Sequence, residues 1–152
     1  MDRIKKGYVC LNYFAMKNLV LLFALIISCS VNAQSIVGKW KTIDDETGKV
    51  KSHVEIYKQG DKFFGKIIKL TNPDKQNALC TDCTGDAKGK KVLGLVIINN
   101  LEKDDEEFGD GTILDPNNGK VYDCTIWVDE AGDLQVRGYI GFFFRTQTWK
   151  KL

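Results

Sequence analysis

Cys80-Thr-Asp-Cys83 is the stretch where residue type and spacing come closest to a defined chemistry. Two thiols three positions apart serve redox exchange, metal ligation or a structural disulfide. A redox pair needs a lowered thiol pKa, normally supplied by a helix N-terminus, and the polar residues around this pair predict no helix. Zinc would take two thiolates here, a third from Cys124 and an imidazole from His53, the sole histidine. That ligand set is chemically sound, but the paired spacing of a zinc ribbon is absent. A disulfide needs only an oxidising compartment. It closes either the small loop or a bridge to Cys124. Cys80, Cys83 and Cys124 cannot all pair, so one thiol stays free or finds another chain. No metal site and no cofactor is expected.

Other candidates for chemistry are weaker. His53, Glu55 and Tyr57 share one face of an alternating run, either a polar cluster at a rim or a solvated face. The histidine has no serine elbow or cysteine partner, so nucleophilic catalysis lacks support. Asp115 and Asp123 pair only on paper, because Asp115 precedes the turn proline Pro116. There is no glycine-rich phosphate loop. The expectation is a protein that is not an enzyme, with no catalytic residues.

Strands must position these groups. From Gly119 the chain alternates with a period of two: Tyr122, Cys124, Ile126 and Val128 fall on one side, Asp123 and Thr125 on the other. A polar turn follows, and Leu134, Val136 and Ile140 alternate with Gln135, Arg137 and Tyr139. A last strand runs through Arg145-Thr-Gln-Thr-Trp149. Earlier runs give strands over 36–42, 52–58, 63–70, 92–99 and 108–114, with an acidic turn at 102–107 and one long polar connection over 71–90. About eight strands joined mostly by short turns make an all-β antiparallel up-and-down meander. Such a sheet hides its edges by closing into a barrel. Closure sets the first strand against the last, which brings Trp40 towards residues 145–149 and an indole within reach of the Arg145 guanidinium.

The chain before this domain reads as targeting sequence. Met16-Lys-Asn precedes an apolar run over 19–27 and a small-residue exit at Val31-Asn32-Ala33, the pattern of a secretory signal too short to span a bilayer comfortably. Residues 1–33 are expected to be an upstream extension plus this signal, with Met16 as the working start. Residues 34–152 are expected to be one domain in a secreted or periplasmic protein. Ile26-Ile27-Ser28-Cys29 also resembles a lipobox, which would make Cys29 a lipidated first residue. Removing 1–33 takes four of 22 basic residues and one of 20 acidic ones, so 18 minus 19 leaves a net charge of −1. With no basic patch left, nucleic acid is not an expected partner. The mature chain has no transmembrane segment, and no protein partner is named by its sequence.

Gly38-Lys-Trp40 on a first strand with Arg145 on the last resembles the lipocalin-like barrels, in which the tryptophan and arginine pack across the closed end. A longer resemblance spans nearly the whole domain: Gly-Lys-Trp-Lys-Thr, Val-Glu-Ile-Tyr, Phe-Gly-Lys-Ile-Ile-Lys-Leu, Ile-Leu-Asp-Pro-Asn-Asn-Gly-Lys-Val-Tyr, Val-Arg-Gly-Tyr-Ile-Gly and Arg-Thr-Gln-Thr-Trp, in that order. These blocks look like the bacterial secreted family known as domain of unknown function 2147. Phe142-Phe-Phe144 departs from that pattern, where a Leu-Gly pair is expected. The resemblance implies a lipocalin-like barrel of the cell envelope with Gly38, Trp40 and Arg145 at the closure, and brings no activity with it.

An eight-stranded barrel is just wide enough to be filled by side chains or to hold one small ligand. The many aromatic residues fit either outcome. The first reading is a non-enzymatic binder of a small apolar or amphipathic molecule, lined by Tyr57, Trp127, Arg137 and Tyr139, with the arginine on a charged head. The alternatives are a filled barrel acting as an interaction or envelope-stress module through residues 71–90 and 142–144, and a thiol or metal protein centred on Cys80, Cys83 and Cys124.

Overall fold

The computed structural model describes residues 35–152. The expected signal, the start at Met16 and the lipobox at Cys29 lie outside the described residues. Eight antiparallel strands close into a barrel in sequence order. They are β1 (Gly38–Ile43), β2 (Val50–Gln59), β3 (Lys62–Leu70), β4 (Val96–Asp104), β5 (Glu107–Asp115), β6 (Lys120–Val128), β7 (Leu134–Ile140) and β8 (Phe143–Lys151). The all-β antiparallel up-and-down barrel expected from the alternation and the short turns is therefore the observed architecture.

The largest departures from the sequence reading are at the two ends of β4. The apolar run at 92–95 is a turn, and β4 starts at Val96 and continues through the charged Glu102-Lys-Asp104. Cross-strand pairing of Glu102 with Gly109, Lys103 with Phe108 and Asp104 with Glu107 holds these residues in the sheet. The reversal itself is only Asp105-Glu106, with Asp105 at φ 50°. Charge patterning marks exposure, and here exposure belongs to a hairpin end rather than to a loop.

Every other residue points inward, and the two ends of the barrel are filled differently. At the closed end, Trp40, Val54, Ile56, Phe63, Ile98, Leu101, Phe108, Ile126 and Leu134 are buried in one core. Phe63 meets Phe108 edge to face, centroids 4.8 Å apart, a favoured aromatic geometry. Trp40 is 1% exposed, and its indole N–H donates to the Ile36 carbonyl at 2.8 Å, fixing how the chain enters the barrel.

Closure joins β1 to β8 through Trp40–Lys151 and Lys41–Lys150 pairing, with the Leu152 N–H donating to the Lys39 carbonyl. The indole–guanidinium contact expected across that closure is not formed. Arg145 sits at the opposite end of β8, six residues before Lys151 or about 20 Å along the strand, and its guanidinium pairs with Asp45. Antiparallel order brings the start of β1 to the end of β8, so an arginine at the start of β8 falls at the open mouth. Gly38 opens β1 opposite Ile56.

At that mouth the β7–β8 hairpin turns at Gly141, with φ 58°. Phe142, Phe143 and Phe144 all lie exposed on it, Phe142 completely. Three consecutive aromatic residues cannot all follow a two-residue alternation, and here all three rings face outward.

Candidate functional site

Towards the mouth, the inward positions no longer fill the lumen. They surround a cavity of about 870 Å³, within the range of small-molecule sites. Its lining is largely apolar, with Ile67 and Leu70 from β3, Ile97 from β4, Ile113 and Leu114 from β5, and Val136 from β7. Gly138 on β7 leaves a gap in this wall, since a Cβ there would meet only the Tyr122 Cβ at 3.7 Å and the Ile113 Cγ2 at 3.8 Å.

Polar groups enter at defined heights. Thr42 and Ser52, cross-strand neighbours, share a hydroxyl–hydroxyl hydrogen bond of 2.7 Å. On β8 the alternation presents Arg145, Gln147 and Trp149 to the cavity in succession. The Trp149 ring is 2% exposed, and its indole N–H is buried without a hydrogen-bond partner among the described residues. An unpaired buried donor costs about 1–3 kcal/mol. At the rim, Arg145 and the Gln147 amide (2.7 Å) both donate to the Asp45 carboxylate from the β1–β2 turn.

The long connection covers one side of the mouth, and it is ordered. The Cys80 N–H donates to the Lys90 carbonyl at 2.8 Å, Gly89 to Cys80 at 2.9 Å and Val92 to Ala78 at 2.9 Å. Cys80 and Cys83 form a disulfide, and both are buried. The disulfide loop rests on the β5–β6 turn, where Gly119 has φ 70° and a Cβ would lie 1.9 Å from the Asp82 carbonyl oxygen. Only glycine allows that approach. Asp115 is a turn residue, its carboxylate accepting from the Asn117 backbone at 2.9 Å and side chain at 2.7 Å. Closing a four-residue loop restricts the unfolded chain, so converting Cys80 and Cys83 to serine is expected to cost about 2 kcal/mol. Urea denaturation of the double variant measures this, and faster amide exchange at Cys80 and Gly89 localises it.

With that bond formed, two of the three thiolates in the zinc reading are spent. Cys124 is separate, 2% exposed inside the barrel, and burial pushes its thiol up to about 12. The thiol therefore keeps its proton in the folded state, while the unfolded chain loses it above about 9. Stability is then complete below about 9 and falls as pH rises towards 12. Iodoacetamide at pH 8 is expected to leave native Cys124 unmodified and to alkylate it in urea, as peptide mass analysis would read.

The four residues expected to line a ligand site lie on the outside. The alternation that sends Ile126 and Val136 inward sends Trp127 and Arg137 outward. Arg137 is sandwiched there, its guanidinium carbon 4.7 Å from the centroids of both Trp127 and Phe144, and its Nε donates to Thr146. Tyr139 leans on Phe144 at 6.4 Å. Tyr57 stacks on Phe64 at 5.9 Å with the Lys66 ammonium above it. These are surface clusters, and none of the four borders the cavity. His53 also faces outward, between Lys41 on β1 and Lys69 on β3, and its pKa is lowered by burial and then by the two lysines. The cavity residues missed by the sequence reading include Thr42, Ser52, Tyr122, Gln147 and Trp149. For Thr42, Ser52 and Tyr122 the signal was present, since each shares the two-residue phase of the buried apolar residues on its own strand, whereas β8 buries only Trp149 and offers no such pattern.

Among solved structures, the chain resembles protein HP1028 from the human pathogen Helicobacter pylori, described as belonging to the lipocalin family. The TM-score is 0.68 at 21% identity, covering 78% of this chain and 83% of that one. At this identity the likeness establishes the fold. No curated protein matches the sequence. No helix among the described residues is long and apolar enough to cross a membrane. The family model for uncharacterized proteins conserved in bacteria, DUF2147, matches residues 38–151, from the first residue of β1 to the last of β8. Its match extends over the entire barrel, and the chain belongs to the DUF2147 family.

Proposed function

We propose that this barrel is a non-enzymatic carrier outside the cytoplasm that holds one small amphipathic molecule in the cavity at its mouth. One observation carries the reading: the lumen is solid at the closed end and leaves a cavity of about 870 Å³ at the other, with an apolar depth and a polar rim. Apolar surface gains about 25 cal/mol for each Å² removed from water. An alkyl or ring system therefore belongs against Ile67, Leu70, Ile97 and Val136. A polar head belongs beside Arg145 and Gln147, where water can still reach it. The disulfide-stapled cover at 80–83 suits an oxidising compartment.

Native mass spectrometry of the mature protein purified from bacterial envelope tests this reading. An additional mass of a few hundred daltons that leaves on mild activation supports it. A bare polypeptide mass, together with failure to take up any added alkyl probe, rejects it.

A further inference from the structure

Arg145 and Gln147 stand two residues apart on the cavity face of β8, and both donate to one oxygen, Oδ2 of Asp45. Asp45 comes from the β1–β2 turn, 100 residues away in sequence. Nearby acids are engaged differently. Asp44 accepts the Thr47 backbone N–H at 2.9 Å and its hydroxyl at 2.7 Å, and these bonds hold its pKa down. Asp115 is held within its own turn. Asp82, in the disulfide loop, is the remaining acid of the lining. Asp45 alone among these four crosses the rim to reach β8. Lys49, Lys51 and Lys75 border the same opening, and none of them forms an ion pair among the described residues.

A guanidinium and an amide converging on one carboxylate oxygen form a site for an anionic oxygen. We infer that Asp45 is an internal stand-in for the head group of the ligand, which is an anionic amphiphile such as a long-chain carboxylate or phosphate. This rests on the cavity reading above and narrows it to one class of ligand. The incoming head takes the Arg145 and Gln147 donors, the Asp45 carboxylate moves into water, and the β1–β2 turn is released from the rim. The pair being displaced is solvent-exposed, the Arg145 side chain at 68% and Asp45 at 38%, so the exchange has a low cost. Asp45 thereby sets a threshold: a neutral amphiphile gains nothing from these donors and leaves the turn in place.

The test compares palmitate with hexadecanol, equal in chain length and different in charge, by titration calorimetry on the whole mature barrel. The expected preference for palmitate is about five- to thirtyfold, the scale of one charge-assisted contact at a partly wet site. Arg145→Gln should reduce that ratio towards one. Asp45→Ala should raise it by roughly two- to fivefold, as removing an exposed competitor implies. Both side chains are exposed, and retained hexadecanol binding reports that each variant is folded. Equal affinity for acid and alcohol, unmoved by either substitution, overturns the head-group inference and leaves the cavity reading standing. Binding of neither probe overturns the cavity reading, and this inference with it.

Discussion

Gly138→Phe is expected to weaken binding of an alkyl probe at least tenfold while the barrel stays as stable as before or becomes more so. Gly138 sits in regular β7 backbone opposite Cys124 and Arg145, so it needs no conformation peculiar to glycine. A Cβ there meets only ordinary van der Waals contacts. Glycine within a strand is destabilising by roughly 0.5–1 kcal/mol, and the new ring would bury itself in the cavity. The same ring occupies space a ligand chain needs. Excluding even two methylenes forfeits about 1.6 kcal/mol, slightly more than a factor of ten in affinity. Thermal melting and probe titration on one sample read both halves. Reduced stability with unchanged affinity would mean that this part of the wall touches no ligand.

Trp40→Ala is expected to cost about 3–5 kcal/mol of folding stability, the range for truncating a buried large aromatic side chain. Trp40 packs in the closed-end core beside the β1–β8 closure, and its N–H satisfies the carbonyl of the fully buried Ile36. Against a total of roughly 5–15 kcal/mol for a typical domain, this loss brings the barrel close to unfolding at ordinary temperature. Trp40→Phe separates the causes. It keeps most of the apolar contact and gives up the hydrogen bond, so its cost should be well below that of alanine. Urea midpoints for the two variants measure the difference. Equal costs would assign the effect to the Ile36 carbonyl rather than to packing.

Much of the architecture was legible because a barrel strand writes its two faces directly into sequence. Ile126 against Trp127 and Val136 against Arg137 gave the phase of β6 and β7, and short turns gave their antiparallel order. Three of the residues expected to line a ligand site lie on strands β6 and β7 and face outward. Trp127, Arg137 and Tyr139 have the chemical character of a binding site, and the phase that buries Ile126 and Val136 sets them outside. Outward they satisfy one another, a guanidinium between two rings, which needs no ligand. Arg145 was misplaced for a different reason. Strand closure brings Trp40 to the end of β8, at Lys151, and not to its start, so the expected closure and the motif resemblance both set Arg145 at the wrong end of the strand. That Asp45 would reach it could not be read from the sequence, because the contact depends on how a turn folds over a rim. The fold of the long connection was equally hidden, since its position comes from the close approach of Asp82 to Gly119 and not from any periodicity.

The three tryptophans of this chain occupy three different environments, so their indole N–H resonances make the most direct test of where a ligand goes. Trp149 lies in the cavity wall, Trp40 in the closed-end core and Trp127 on the outer face against Arg137. Adding palmitate to the isotope-labelled barrel should move the Trp149 signal and the Gly138 amide while leaving Trp40 and Trp127 nearly still. A shift confined to Trp127, or no shift in any of the three at saturating palmitate, would contradict a ligand held inside.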